Sequence, residues 1–96
     1  MFYYTYVLLC IDKKRNRKKF YIGYTKNLKN RVKKHISGDV KTTKSFDTID
    51  LVYYEACRNK TDARKRELQL KTGYGRGYIK NRISDDLKRI SYRPIL

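Results

Sequence analysis

Tryptophan is absent from this chain of 96 residues, proline and histidine occur once each, and the two cysteines stand far apart at Cys10 and Cys57. Four metal ligands at finger or RING spacing are therefore missing, which excludes a structural zinc site. Both cysteines end apolar runs and read as small buried hydrophobes. Acidic residues are scarce, with 9 Asp+Glu against 25 Lys+Arg for a net charge of +16. Charge of that size and sign repels itself, and a polyanion relieves it. Nucleic acid is the first candidate partner and an acidic membrane surface the second. Long hydrophobic runs are lacking too. The opening "MFYYTYVLLCI" is too short to span a bilayer and has neither a basic leader nor a small-residue cleavage site. A cytoplasmic location is the expectation.

Basic residues are spread along the whole chain and interrupted by apolar and aromatic ones, which describes a folded basic domain rather than a disordered arm. One domain over residues 1–96 is expected. A chain of this size buries roughly 60–65% of its unfolded surface, so its core is modest. Residues 2–11 carry a strong strand signal without clean alternation, as for a strand covered on both faces. "DKKRNRKK", 12–19, reads as a charged turn, and "FYIGYT", 20–25, as the second strand of a hairpin. Thr25 or Asn27 can cap the following helix, which runs to about Ser37 before Gly38. The polar segment 39–48 is a loop and "IDLVYYEAC", 49–57, the third strand. A second helix over 61–72 is stopped by Gly73, "GYGRG" reads as a flexible basic link, and "YIKNRISDDLKRI" as a last helix, with Pro94 marking its end. The order β-β-α-β-α-α predicts an α+β fold, a small three-stranded antiparallel sheet flanked by helices.

On a helical wheel at ~100° per residue, Leu28, Val32 and Ile36 form the apolar stripe of the first helix. Lys26, Lys29, Lys33 and Lys34 spread over the far side, where they can meet phosphates. His35 falls beside Leu28 with Arg31 one turn earlier, so the two are neighbours facing the sheet. In the second helix Glu67 falls between Ala63 and Leu70. A carboxylate there must be paired, protonated or bound to a cation. Ten tyrosines are present, and a turn near Lys13–Lys14 would bring Tyr6 opposite Tyr21, or nearly so. Gly23 weakens its strand and marks the close approach of a backbone or ligand. One carboxylate, one arginine, one histidine and two phenols suit phosphodiester hydrolysis. The carboxylate would hold a hard divalent cation, the arginine would stabilise a pentavalent phosphorus, and a phenol would orient or deprotonate water.

Three stretches carry a resemblance: "YTYVLLC" at Tyr4–Cys10, "YIGYTKNLKNRVKKH" at Tyr21–His35 and "ARKRELQLK" at Ala63–Lys71. Together they resemble the GIY-YIG endonuclease superfamily, most closely small stand-alone members related to the UvrC- and Slx1-type nuclease domains. The resemblance implies a three-stranded antiparallel sheet, a divalent metal (Mg²⁺, or Mn²⁺ in its place) and hydrolytic cleavage of DNA. It also implies roles: Tyr6 and Tyr21 as the two motif tyrosines, Arg31 as the transition-state arginine, His35 as the histidine one turn later, Glu67 as metal ligand and Asn81 as a further site residue. One departure is that Tyr4 stands where the first motif has glycine.

The main expectation is a metal-dependent DNA endonuclease that recognises structure rather than sequence, with repair, recombination and mobile-element roles all open. Lys26, Lys29, Lys33 and Arg76 are expected to hold nucleic acid. RNA as a second substrate and a targeting partner protein also stay open. The alternative is a non-catalytic RNA- or DNA-binding module whose tyrosines, including those of "GYGRGY", stack on bases. A membrane-surface protein lacks its basic amphipathic helix with an aromatic face.

Overall fold

A computed structural model describes residues 1–90. Its centre is an antiparallel sheet of β1 (Tyr3–Asp12), β2 (Arg17–Thr25) and β3 (Thr48–Cys57), in the order β2-β1-β3. The central strand supplies both layers of the core by alternation. Tyr6, Leu8 and Cys10 face one side with Phe46, against Leu28 and Val32. Val7 faces the other with Ile22, Leu70 and Ile79. This explains why β1 reads as an unbroken apolar run: it is covered on both faces. Burial pushes the Cys10 thiol up to about 11, so it is inert packing, as expected.

The turn between β1 and β2 is shorter than the charge run suggests, because Arg17–Lys19 already belong to β2. Residues 13–16 make the turn, closed by the Asn16 N–H donating to the Lys13 carbonyl at 3.2 Å. Asn16 takes a left-handed φ of 49°, which asparagine tolerates better than most residues. Tyr6 therefore pairs with Gly23, and Tyr21 with Leu8. The two phenols are diagonal neighbours on one face rather than opposite partners. Gly23 has a visible purpose: a Cβ there would overlap the Tyr6 ring.

The helices among the described residues are α1 (Leu28–Ile36), α2 (Lys60–Leu70), α3 (Gly73–Arg82) and α4 (Ser84–Arg89), the last packed on α3. Asn27 caps α1 by accepting the Asn30 N–H at 3.1 Å, while Thr25 receives the Asn27 N–H at 3.0 Å. After α1 the chain turns at Gly38, whose φ of 82° suits glycine. Asn59 caps α2 through the N–H groups of Thr61 and Asp62.

Two expectations about the helices need correction. "GYGRG" is no link but the start of α3, capped by Thr72. The glycines allow it: a Cβ at Gly75 would collide with the Leu70 carbonyl, so glycine lets α3 pack onto the end of α2. The final helix is broken at Ile83, which separates α3 from α4. The expected stop at Pro94 lies outside the described residues. Among the described residues no helix is long and apolar enough to cross a membrane.

Candidate active site

Helix α1 places its inward residues as the wheel indicates, with one exchange. Leu28 and Val32 are half-buried, His35 is fully buried, and Ile36 is 64% exposed. A polar imidazole thus takes the place in the stripe that isoleucine was expected to fill. Tyr6 Oη and His35 Nε2 lie 2.9 Å apart, and His35 Nδ1 lies 2.8 Å from Thr43 Oγ1. Arg31 donates from Nε to Tyr6 Oη at 3.3 Å. Tyr21 closes the group with its ring edge-on to His35, centroids 4.9 Å apart.

Burial, with the Arg31 charge adding to it, lowers the His35 pKa from 6.5 to about 4. The imidazole is therefore neutral near pH 7, with one ring nitrogen donating and the other accepting. The Arg31 N–H already fills one acceptor position on the Tyr6 oxygen. This favours Tyr6 donating to Nε2 and the Nδ1 proton going to Thr43. Burial pushes the Tyr6 phenol up from its ordinary value, although the Arg31 hydrogen bond pulls it down, and Tyr21 and the Glu67 carboxylate push it up further. The Tyr6 contact in turn makes Arg31 hold its proton more firmly. No buried side-chain nitrogen or oxygen among the described residues lacks a partner.

Glu67 lies between Ala63 and Leu70 on α2, as expected; its side chain is 14% exposed and its carboxylate pairs with Lys71 Nζ at 3.0 Å. Its partner Lys71 lines the same cleft as Tyr21. Lys71 and Arg76 line a cleft of about 360 Å³ with Lys19, Tyr21 and Thr42 along the β2 edge. The structure thus brings Tyr6, Tyr21, Arg31 and His35 together, and Glu67 borders them through Lys71, which lines one cleft with Tyr21 and Arg76. Asn81 is exposed on the last part of α3 and has no link to this group. Lys26, Lys29 and Lys33 line a second groove along α1, which Arg31 itself does not line. Sequence reasoning missed Thr43. It was assigned to a polar loop, yet it is only 1% exposed and fixes the imidazole.

A cation is testable against these side chains. Among the described residues no cluster of three or more His, Cys, Asp and Glu exists. Mg²⁺ keeps several waters and needs only one or two carboxylates when substrate phosphates complete its shell. Glu67, poorly exposed and paired with a lysine that lines the Tyr21 cleft, fits that donor set once Lys71 gives way.

The GIY-YIG catalytic domain, taken as a family profile, matches residues 2–82. The chain belongs to the GIY-YIG family. Membership implies endonuclease chemistry as the class of activity, with DNA as the class of substrate. The relatives of this GIY-YIG chain include a UPF0213 protein of Pediococcus pentosaceus, 41% identical over 70 residues, covering 72% of this chain and 68% of the relative. Another UPF0213 protein, from Clostridium perfringens, is 38% identical over 69 residues, covering 71% and 69%. One from Staphylococcus saprophyticus is 37% identical over 71 residues, covering 73% and 80%. No solved structure matches the chain.

Proposed function

We propose that this GIY-YIG protein hydrolyses DNA phosphodiester bonds with a divalent cation, Mg²⁺ or Mn²⁺, held by Glu67. We further propose that it selects DNA by structure rather than by sequence. The observation that carries the reading is the buried chain of contacts from Arg31 through Tyr6 and His35 to Thr43. A basic domain that only bound nucleic acid would have no need to keep a neutral imidazole and two phenols around one guanidinium.

When bound, the cation supplies Lewis acidity to a phosphate oxygen and to the attacking water. The protein's own groups do the rest. Tyr6 is fully buried, so the phenol that meets the cleft is Tyr21. Its oxygen would take a hydrogen bond from the incoming water and fix the line of attack. Arg31, half-buried and always charged, would direct its remaining N–H donors at the non-bridging oxygens, where charge grows in the transition state. Tyr6 and His35 hold Arg31 in position, and Thr43 holds His35. Lys71 pairs with the Glu67 carboxylate, and an arriving phosphate offers its ammonium a second anion. Asn81 is exposed on α3 and open to a strand lying along that helix.

Structure-directed selection is supported by the solvent face of α1, which presents Lys29, Lys33 and Lys34. Lysines there hold phosphates and carry no sequence information. Such an activity suits repair, recombination or mobile-element processing.

The test is a cleavage panel of branched, flapped and plain DNA, with Mg²⁺ and with EDTA. Cutting should need the metal. Glu67→Gln should lower it by about a thousandfold or more, the rate equivalent of several kcal/mol, while DNA binding in EDTA persists. Binding without cutting on every substrate would assign the protein to the non-catalytic class instead.

A further inference from the structure

The pairing of β1 with β3 slips between Val7 and Leu8. The extra residue places Val52 and Tyr53 together on the side of Val7 and Ile22. Leu51 and Tyr54, three apart in sequence, therefore share the α1 side of the sheet. Bulges commonly re-aim a side chain next to an active site. Here the bulge leaves Tyr54 52% exposed and Leu51 37% exposed, on β3, an edge strand. Tyr54 stands directly opposite the buried Tyr6. Its ring is held edge-on by Tyr4, centroids 5.9 Å apart at 66°.

These rings form the floor of a groove of about 620 Å³, and Lys26, Lys29 and Lys33 form its wall. That volume falls within the range of ligand clefts, roughly 300–1,000 Å³. No carboxylate among the described residues lines it. Lys26 also lines the recess that holds Arg31, so the groove and the Arg31 side meet round the start of α1. Aromatic faces beside ammonium groups suit a ligand that alternates flat rings with phosphates. A second copy of a chain with net charge +16 would meet repulsion across the same lysines.

We infer that this groove is a subsite for an unpaired DNA segment: a nucleobase next to the scissile phosphate stacks on Tyr54 over Leu51 and Tyr4, with its phosphates on Lys29 and Lys33. The inference rests on the nuclease reading only for the position of the scissile phosphate. It names the DNA structure selected, one with an unpaired nucleotide at the cut. A fully paired base is held in its own stack and cannot enter.

The test uses the full chain in EDTA, so that nothing is cut. Fluorescence anisotropy compares a short thymidine oligonucleotide with a blunt duplex of equal length. Tyr54→Ala should weaken oligonucleotide binding about tenfold, the effect of losing one base–aromatic stack, and duplex binding far less. Tyr54→Phe should keep the affinity, as should Tyr74→Ala, an exposed ring on α3. Tyr54→Trp places a single tryptophan in a chain that has none, and the oligonucleotide, not the duplex, should quench its emission. Equal losses for both DNA forms, or no quenching, would overturn the subsite. So would a Tyr54→Ala variant that changes only self-association in sedimentation. Lost quenching with intact Mg²⁺-dependent cutting would remove this subsite alone. Lost cutting with intact quenching would remove only the nuclease reading.

Discussion

His35 should make the protein acid-sensitive in a defined window. The folded chain holds this imidazole neutral down to about pH 4, whereas an unfolded histidine takes its proton near 6.5. Between those values the unfolded state binds more protons, so acid favours unfolding. The stabilisation is complete above about pH 6.5, falls as the pH drops towards 4, and has no more to lose below that. The whole gap corresponds to roughly 3 kcal/mol, with roughly 2 kcal/mol already gone by about pH 5. Against a total stability of roughly 5–10 kcal/mol for a domain of this size, the effect is easily measured. Urea unfolding at several pH values should show it for the natural chain. His35→Gln keeps polar atoms for Tyr6 and Thr43 but cannot titrate, so the difference between the two profiles isolates the imidazole from the carboxylates. As the chain's one histidine, His35 also gives an unambiguous ring signal by NMR, expected to titrate near 4. Parallel stability profiles, or a ring that titrates at 6 or above, would refute the burial argument.

The remaining predictions concern packing and charge. Gly23→Ala drives a methyl group into the Tyr6 ring, so it should cost about 1–3 kcal/mol by overpacking and shift the near-ultraviolet tyrosine signal. It should also depress Mg²⁺-dependent cleavage more than DNA affinity. Lys33→Gln removes one ammonium from the groove wall. It should lower the log–log salt slope of binding by about one, with the loss in cleavage assays falling on KM.

Much of the fold was legible because local signals and packing agree. The helix cap at Asn27, the stop at Gly38 and the three strands all follow from short-range chemistry. The inward turn of Arg31 and His35 was legible from angular spacing alone, as was Glu67 between Ala63 and Leu70. What failed depended on distant parts of the chain. Ile36 was assigned to the apolar stripe by its angle on the wheel, but the helix ends with that residue exposed while His35 finds partners in Tyr6 and Thr43. Thr43 carries no sequence signal, since its hydroxyl matters only after the loop folds under α1. "GYGRG" looked flexible because glycine disfavours helix. Its close contact with Leu70 is a tertiary gain that propensity does not record. The β3 bulge was equally hidden, because Leu51 and Tyr54 gain a common face only through pairing with β1.

The alternation along β1 has a consequence for how this protein can change over evolutionary time. Odd and even positions of one ten-residue strand answer to different masters, the helical pair on one side and the buried Tyr6–His35 group on the other. Gaining or losing a residue in the middle of that strand would swap a phenol for a valine and void both assignments together. Length variation should therefore collect in the turn at 13–16 and near the chain ends, leaving the strand's interior at constant length even where its side chains drift.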